Sequence, residues 1–175
     1  DIVVVLPAEH KATWERLCSE HQFSIPHVLA EGGKERFISV RNGLQHINNC
    51  DVIGVHDGVR PIISIPLIEN CFTTAMLHGS CVLVIPITDS LRRGNFSNNV
   101  VVGRENLYRV QTPQVFRRDW IMDAYQQSYD SNFTDDASVV ESAGFNIILT
   151  HGDDRNIKIT SIPDMELAEF YLSKK

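Results

Sequence analysis

The sequence predicts an α/β fold with a largely parallel central sheet and a protruding β-hairpin arm. Short apolar runs of strand length alternate with amphipathic stretches of helical length, which is the pattern of right-handed β-α-β crossovers. The apolar runs are continuous, as expected for parallel strands covered on both faces. Between residues 88 and 116 the helical periodicity stops, and the segment has the composition and turn residues of a β-hairpin.

Length and composition are those of one globular domain covering residues 1–175. The chain is 43% hydrophobic and 22% charged, a balance typical of a folded protein with a substantial core. The formal net charge of −6 argues against a general nucleic-acid binder or a binder of anionic membranes. No apolar run is long enough to cross a bilayer, so we expect a soluble protein without a membrane partner.

The cysteines indicate a reducing compartment. Cys18, Cys50, Cys71 and Cys81 are scattered without CxxC or metal-type spacing. We expect reduced core thiols in a cytoplasmic protein, with a disulfide as the alternative.

The N-terminal part is expected to contain two strand-helix pairs. Residues 2–6 (IVVVL) predict a buried strand, and because a mature protein rarely begins inside its core, we expect an N-terminal portion to precede it. Residues 9–21 predict an amphipathic helix and residues 27–30 a short strand. Gly32 and Gly33 then predict a tight turn into a helix whose free N–H groups suit an anion or a base. A plain structural turn explains these glycines equally well.

The run VIGVHDGVRP at residues 52–61 predicts a buried strand that ends abruptly in polar residues. Ligands of open α/β sheets bind beyond the carboxyl ends of strands, so side chains released there are candidate site residues. The Asp57 carboxylate suits a ribose hydroxyl or a magnesium ion, and the Arg60 guanidinium suits a phosphate. We therefore expect a phosphorylated ligand; a strand-to-loop corner with a surface ion pair is the alternative.

The arm concentrates positive charge in an otherwise acidic chain, at Arg92, Arg93, Arg104 and Arg109. A two-stranded ribbon is marginally stable in water, so we expect this arm to pack against the same arm of a second subunit. Solvated charge that protects a β-edge is the alternative for these arginines. Arg104 stands apart because it lies where the ribbon turns back.

Further helices and strands are predicted on both sides of the arm, at residues 66–78 (helix), 81–87 (strand), 117–129 (helix), 134–143 (helix), 146–150 (strand), 155–160 (strand) and 161–172 (helix). Thr134 or Asp135 is expected to cap the helix that it precedes. Lys158 lies between two isoleucines of the last strand, so it faces away from them. It points either to solvent or to a ligand phosphate.

Four motifs occur in one order: HDGVRP at 56–61, RENLYRVQTPQ at 104–114, TDDAS at 134–138 and NIKIT at 156–160. Together with GGKER at 32–36, they resemble the 2-C-methyl-D-erythritol 4-phosphate cytidylyltransferase family, over residues 3–172. The resemblance implies a Rossmann-like nucleotidyltransferase that joins CTP to a polyol phosphate and releases pyrophosphate. It also implies Mg²⁺ as cofactor and a homodimer formed through the β-arm.

The resemblance assigns nucleotide contacts to five positions. It implies that Gly33, Lys34 and Ser39 recognise cytosine, although Lys34 replaces an aspartate seen in some relatives. It places Asp57 beside the ribose and the metal ion. Lys158 is implied to contact the nucleotide phosphates and to orient the attacking substrate as a catalytic residue.

The positions implied to hold the methylerythritol phosphate are Arg60, Thr134, Ser90 and Arg104, the last two acting across the dimer. Arg104 is also implied to be catalytic, and Ser90 keeps the hydroxyl of the threonine that it replaces. Because the attacking phosphate is already anionic, no general base is needed, and we expect His56 to be a packing residue.

The family pattern also includes a Gly-rich loop of the type LAAGxGxRxG that wraps the CTP triphosphate, and this loop is not in the sequence. We therefore expect the 175-residue chain to bind CTP weakly or not at all. Two alternatives stay open. One is a ribitol or ribulose 5-phosphate cytidylyltransferase, which shares the Asp57 and Arg60 motif, and the other is a truncated dimerisation or binding fragment without activity.

Overall fold

The structure is a computed structural model in which residues 1–174 are described. Strands and helices alternate over most of the described chain. In order they are β1 (Val3–Leu6), a 3-10 helix (Ala8–His10), α1 (Lys11–Glu20), β2 (Val28–Glu31), α2 (Arg36–Leu44), β3 (Val52–Val55), α3 (Ile65–His78), β4 (Ser80–Pro86), β5 (Leu91–Gly94), β6 (Asn99–Val102), β7 (Tyr108–Arg117), α4 (Arg118–Ala124), α5 (Asp136–Ser142), β8 (Leu149–His151) and α6 (Ile162–Ser173).

The described chain separates into two compact units. The first comprises Asp1–Val55 and Phe116–Ile147, and the second comprises His56–Val115 and the chain from Ile148 onwards. Each unit contains helices and a parallel strand pair. The predicted α/β class is therefore confirmed.

In the first unit, β1 and β2 pair in parallel, with Val3 opposite Val28. Gly43 allows helix α2 to approach this strand pair closely, because a Cβ atom at this position would lie only 2.8 Å from Val5 Cγ2. The prediction that β1 is buried on both faces is wrong, since all four of its residues are half-buried. The physical reason is that β1 and β2 form a two-stranded sheet within the described residues, so one edge of β1 has no neighbouring strand.

Much of the core of the first unit comes from α4, from Tyr125 that follows it and from α5, through the buried residues Ile121, Ala124, Tyr125, Val139 and Val140. The helix predicted over 117–129 ends earlier, at Ala124. Its C-terminal carbonyl group is bound by a side chain, because Gln127 Nε2 donates to Ala124 O at 2.8 Å and to Val139 O at 3.1 Å. Asp135, one of the two predicted caps, accepts a hydrogen bond from Ser138 N and starts α5.

In the second unit, β7, β4 and β8 are neighbours in that order. Strands β4 and β8 are parallel, with Val82 opposite Leu149, and β4 is buried from Ser80 to Ile85. Helix α3 is capped by Ser64 and ends at Gly79, whose φ of 93° requires a glycine-type conformation. The continuous apolar run of β4 is thus a central strand, as the sequence predicts.

The arm is an antiparallel ribbon of β5 and β6, in which Leu91 lies opposite Val102 and Gly94 opposite Asn99. Its tip is closed by Asn95, whose side-chain oxygen accepts hydrogen bonds from the backbone N–H groups of Ser97 and Asn98. The chain then enters the sheet through β7. The predicted hairpin that returns into the sheet is confirmed.

Two predictions near the C-terminus are wrong. Residues 155–160 are irregular because Asp153 turns the chain: Asn156 N donates to Asp153 O, and Arg155 N donates to Asp153 Oδ1. The apolar residues of the C-terminal helix, Met165, Leu167, Ala168, Phe170 and Tyr171, are expected from the sequence to form its buried face. In α6 only Ala168 is buried, and Met165, Leu167 and Phe170 are exposed. No helix among the described residues is long and apolar enough to span a membrane.

All four cysteines are free thiols. Cys71 and Cys81 lie in the core as predicted. Cys18 and Cys50 are only half-buried, so the prediction of a core position is wrong for these two. Both belong to the first unit, where Cys18 lies on α1, a helix without a fully buried residue.

Candidate active site

The polar turn that follows β3 folds back on itself. Arg60 N donates to Asp57 O at 3.0 Å, and Arg60 Nε lies 3.4 Å from Asp57 Oδ2. Their side chains are only 12% and 13% exposed. Because both charges are largely withdrawn from water, their attraction is stronger than that of a surface ion pair.

Lys158 reaches the same carboxylate. Its Nζ lies 3.2 Å from Asp57 Oδ2, while its side chain remains about half exposed. The backbone beside it is fixed by a 2.8 Å hydrogen bond from Ile159 N to Val59 O. Lys158 therefore pairs with Asp57 and does not point to solvent alone, while its predicted contact with a ligand phosphate stays a prediction. One carboxylate between two cations leaves a net positive charge, which suits a phosphate.

A chain of hydrogen bonds holds this turn from behind. Asp57 N donates to Thr112 Oγ1 at 2.9 Å, Thr112 Oγ1 lies 3.0 Å from His56 Nδ1, and His56 Nε2 lies 3.0 Å from Arg60 O. A carbonyl oxygen only accepts, so Nε2 carries the proton of the imidazole and Nδ1 accepts from the threonine hydroxyl. Burial lowers the pKa of His56 and favours this neutral form. His56 thus has a structural role in the turn.

Buried amides position the loop that carries Lys158. Asn156 is fully buried, and its side-chain Nδ2 donates to Thr112 O at 2.8 Å. The backbone carbonyl oxygen of Asn156 accepts a hydrogen bond from Arg60 Nη1 at 2.8 Å. Gln111 Nε2 donates to Asp153 O at 2.8 Å. The guanidinium of Arg60 is therefore fixed on both sides, by a carboxylate and by a backbone carbonyl.

The predicted base-binding turn lies in the first unit. Ser39 Oγ accepts from Gly33 N at 3.0 Å and lies 3.2 Å from Glu35 O, so the serine faces back towards the turn. A Cβ atom at Gly33 would overlap the side chain of Ile38, which explains the glycine. Lys34 is exposed beside them. The structure thus brings Gly33 and Ser39 together and leaves the Lys34 side chain accessible.

The remaining candidates lie on exposed segments. Thr134 is exposed in the loop before α5, in the first unit. Ser90 and Arg104 are exposed in the arm of the second unit, and Arg104 Nη1 donates to the carbonyl of Thr88, two residues before Ser90. Arg104 and the segment that carries Ser90 are thereby brought together at the base of the ribbon.

Three residues that line or support these sites were not named as candidates in the sequence analysis. Lys11 lines a pocket with Leu6 and Glu31, at the carboxyl ends of β1 and β2, where ligands of α/β sheets bind. Thr112 and Asn156 support the Asp57 turn. The signal for the last two was present, because both belong to motifs that carry the family resemblance.

Among residues 1–174, no group of three or more His, Cys, Asp or Glu residues is arranged to hold a metal ion. Asp57 is a single carboxylate. Magnesium commonly binds one or two carboxylates and completes its octahedron with water and substrate phosphates. The donor set therefore fits magnesium that arrives with a nucleotide and does not fit an all-protein metal cage.

The α/β fold and the cationic cluster around Asp57, at the end of β3, suit an enzyme that acts on a phosphate ester, as a nucleotidyltransferase does. A family model described as IspD, 2-C-methyl-D-erythritol 4-phosphate cytidylyltransferase, matches residues 1–174. The chain belongs to this family.

Individual relatives agree with the family match. The chain is 43% identical over 171 residues to the 2-C-methyl-D-erythritol 4-phosphate cytidylyltransferase of Bacteroides fragilis, covering 98% of the chain and 78% of that protein. It is 44% identical over 173 residues to the enzyme of the same name from Porphyromonas gingivalis, with the same coverage.

Solved structures confirm the predicted Rossmann-like nucleotidyltransferase fold. The crystal structure of 2-C-methyl-D-erythritol 4-phosphate cytidylyltransferase from Thermus thermophilus matches with a TM-score of 0.81 at 28% identity, over 100% of the chain and 82% of that protein. A structure of 4-diphosphocytidyl-2C-methyl-D-erythritol synthase from Anaerococcus prevotii has a TM-score of 0.84 at 22% identity, over 99% and 78%, and supports the fold.

Proposed function

We propose that this chain transfers the cytidylyl group of CTP to 2-C-methyl-D-erythritol 4-phosphate in non-mevalonate isoprenoid precursor synthesis. The products are 4-diphosphocytidyl-2-C-methyl-D-erythritol and pyrophosphate. The observation that carries the proposal is the Asp57 carboxylate, held between Lys158 and Arg60. Membership of the family supports the choice of both substrates.

The reaction needs placement and neutralisation of charge. A phosphate oxygen of the sugar phosphate attacks the α-phosphorus of CTP, and the bond from that phosphorus to the bridging oxygen breaks, so pyrophosphate leaves with the electron pair. The attacking oxygen is anionic at neutral pH, and no general base is required. Lys158 and Arg104 provide positive charge where negative charge builds up in the transition state.

The two substrates are assigned to different side chains. Cytosine binds at the turn of Gly33, Lys34 and Ser39, whose geometry is fixed by the bond from Gly33 N to Ser39 Oγ. The ribose lies at Asp57. The methylerythritol phosphate is held by the side chains of Arg60, Ser90, Arg104 and Thr134.

Magnesium is the proposed cofactor, with Asp57 as its protein ligand. The ion supplies positive charge to the triphosphate when it is bound. Its support is the donor chemistry of one carboxylate at a phosphate site. Lys158 and Arg60 both lie beside the same carboxylate.

We further infer a homodimer formed through the β-arm. The ribbon exposes the apolar side chains of Phe96, Val100 and Val101, and the start of β7 exposes those of Tyr108 and Val110. Pairing two arms buries this surface and brings Arg104 to the partner's site. A cytoplasmic location is supported by the four free cysteines.

The test is an assay of pyrophosphate release by the full-length protein, with CTP and either methylerythritol phosphate or ribitol 5-phosphate. We expect turnover with the methylerythritol phosphate. Turnover with the pentitol phosphate alone contradicts the substrate assignment, and turnover with neither contradicts the assignment as an enzyme. Isothermal titration calorimetry with CTP and magnesium then distinguishes a protein that binds CTP without turnover from one that does not bind it.

A further inference from the structure

The first turns of α2 and α5 are joined by a two-pronged ion pair within the first unit. Arg36 Nη1 donates to Asp136 Oδ1 at 2.9 Å, and Arg36 Nη2 donates to Asp136 Oδ2 at 2.7 Å. Asp136 is fully buried, whereas the Arg36 side chain is 37% exposed. A bidentate pair fixes orientation as well as distance, so the starts of the two helices are held in one geometry.

Beside the ion pair, aromatic stacking joins the first turn of α2 to the loop before α5 and to Tyr125 at the end of α4. The ring of Phe37 stacks on Tyr125 at 4.8 Å and on Phe133 at 5.6 Å, with interplanar angles of 20° and 25°. The Tyr125 hydroxyl donates to Asp136 Oδ1 at 2.6 Å. Burial and the neighbouring carboxylate raise the pKa of Tyr125, so this hydroxyl keeps its proton at physiological pH.

These contacts connect the two segments that are proposed to bind different substrates. Arg36 comes two residues after Lys34, at the first position of α2. Asp136 comes two residues after Thr134, at the first position of α5. Thr134 therefore lies between Phe133 and Asp136, and both of these are held by the first turn of α2.

We propose that Arg36 and Asp136 form a positioning pair, which sets Thr134 relative to the base-binding turn without contacting either substrate. The inference rests on the proposed function, in which that turn binds cytosine and Thr134 binds the sugar phosphate. Loss of the pair then loosens both segments together. A residue that contacts one substrate affects the binding of that substrate alone.

The first test compares Arg36→Lys with Tyr125→Phe in the full-length protein. Lysine keeps the positive charge and cannot form two parallel hydrogen bonds to a carboxylate. Phenylalanine removes a buried hydrogen bond to the same carboxylate and leaves the ion pair in place. We expect Arg36→Lys to raise KM for CTP and for methylerythritol phosphate, each about threefold or more. Tyr125→Phe should lower Tm and leave both KM values unchanged.

A double mutant tests the connection directly. Thr134→Val should raise KM for the sugar phosphate in the otherwise unchanged protein, and by a smaller factor when Arg36→Lys is also present. Asp136→Asn, which keeps the side-chain volume, is the second variant if Arg36→Lys fails to fold, and the same joint rise of both KM values is expected.

Three results overturn the inference: unchanged KM values in a folded Arg36→Lys protein, a rise for one substrate only, or independent effects in the double mutant. In each of these cases the wild-type enzyme still turns over both substrates, so the proposed function stands. Absence of turnover by the unchanged full-length protein refutes the proposed function and this inference together.

Discussion

Lys158 Nζ lies 3.2 Å from Asp57 Oδ2, although the two residues belong to loops far apart in sequence. Neither side chain is presented by a regular strand. Asp57 follows β3 directly, and Lys158 lies in an irregular segment before α6. Their meeting depends on the buried polar residues Thr112 and Asn156, which hold both loops. The central charge cluster is therefore built by a hydrogen-bonded loop scaffold.

Replacing Lys158 should nearly abolish turnover. We expect Lys158→Ala to lower kcat by about 10² to 10³, because a preorganised positive charge is removed from the transition state. Lys158→Arg should restore only part of the rate, since a planar guanidinium does not reproduce a compact ammonium. Steady-state kinetics of the full-length protein measure this. Lys174→Ala removes another lysine that follows α6 and should leave kcat unchanged; an equal loss in both variants would contradict a specific role for Lys158.

Asp57→Asn should change the response of the enzyme to magnesium. The substitution keeps the shape and removes the negative charge that faces Lys158 and Arg60. A neutral amide is a weaker ligand for a hard cation, so the magnesium concentration for half-maximal rate should rise. Titration of the rate with MgCl₂ measures the shift. Asp154→Asn, at an exposed aspartate 3.7 Å from Arg109, is the matched control and should give the unchanged titration curve.

Thr112 should prove important through its hydroxyl group. Thr112→Val keeps the volume and removes the hydroxyl that bonds to Asp57 N and His56 Nδ1, which should cost about 1–3 kcal/mol of unfolding free energy. Thr112→Ser keeps the hydroxyl and should lose much less. Urea unfolding gives both values, and kcat should fall with the valine variant only. Equal stability of the two variants would show that the hydroxyl does not support the turn.

The sequence predicted Asp57 and Arg60 as neighbours because both leave the end of one strand, where the backbone sets their spacing. Lys158 was harder. The Ile-Lys-Ile alternation predicted a strand and left two directions open. The loop conformation depends on the turn at Asp153 and on the long-range hydrogen bond from Asn156 Nδ2 to Thr112 O, which the alternation does not reveal. The contact between Arg36 and Asp136 was also not predicted. Capping accounted for the acidic residues at the start of α5, and the ion pair joins residues 100 positions apart in the sequence.

The apolar pattern was a good guide to β4 and a poor guide to α6. A continuous apolar run between two neighbouring strands is buried whatever lies outside the sheet. The apolar residues of an amphipathic helix are buried only where another element covers them. Met165 and Phe170 are exposed in the described chain for that reason, although their sequence period is that of a packed helix.

The N-terminus of α6 should make folding stability depend on pH in the acid range. The pKa of Asp164 is lowered because its carboxylate accepts hydrogen bonds from Thr160 N and from Ser161. A pKa that is lower in the folded state contributes stability above the unfolded pKa of about 4, and this stability is lost as the pH falls through the folded value. Urea unfolding of the wild-type protein and of Asp164→Asn should therefore differ at pH 7, and the difference should shrink as the pH falls below about 4. A constant difference would show that the charge of Asp164 has no part in the cap.

Arg104 should act in the site of the neighbouring subunit. Arg104→Ala alone should lose most activity, because the arginine that neutralises the substrate phosphate is missing, and Lys158→Ala alone should lose it for want of the other charge. In a mixed dimer, one of the two sites then receives an intact Lys158 from its own chain and an intact Arg104 from its partner. Co-refolding the two inactive variants should restore activity, up to about a quarter of the wild-type level for random pairing, in which half of the dimers are mixed and each has one complete site.

Arg92→Ala, at another arm arginine without a proposed role at the site, is the control and should retain activity alone. If the mixture stays inactive while gel filtration shows dimers, Arg104 belongs to the site of its own subunit, and the apolar surface of the arm serves assembly without completing the partner's site.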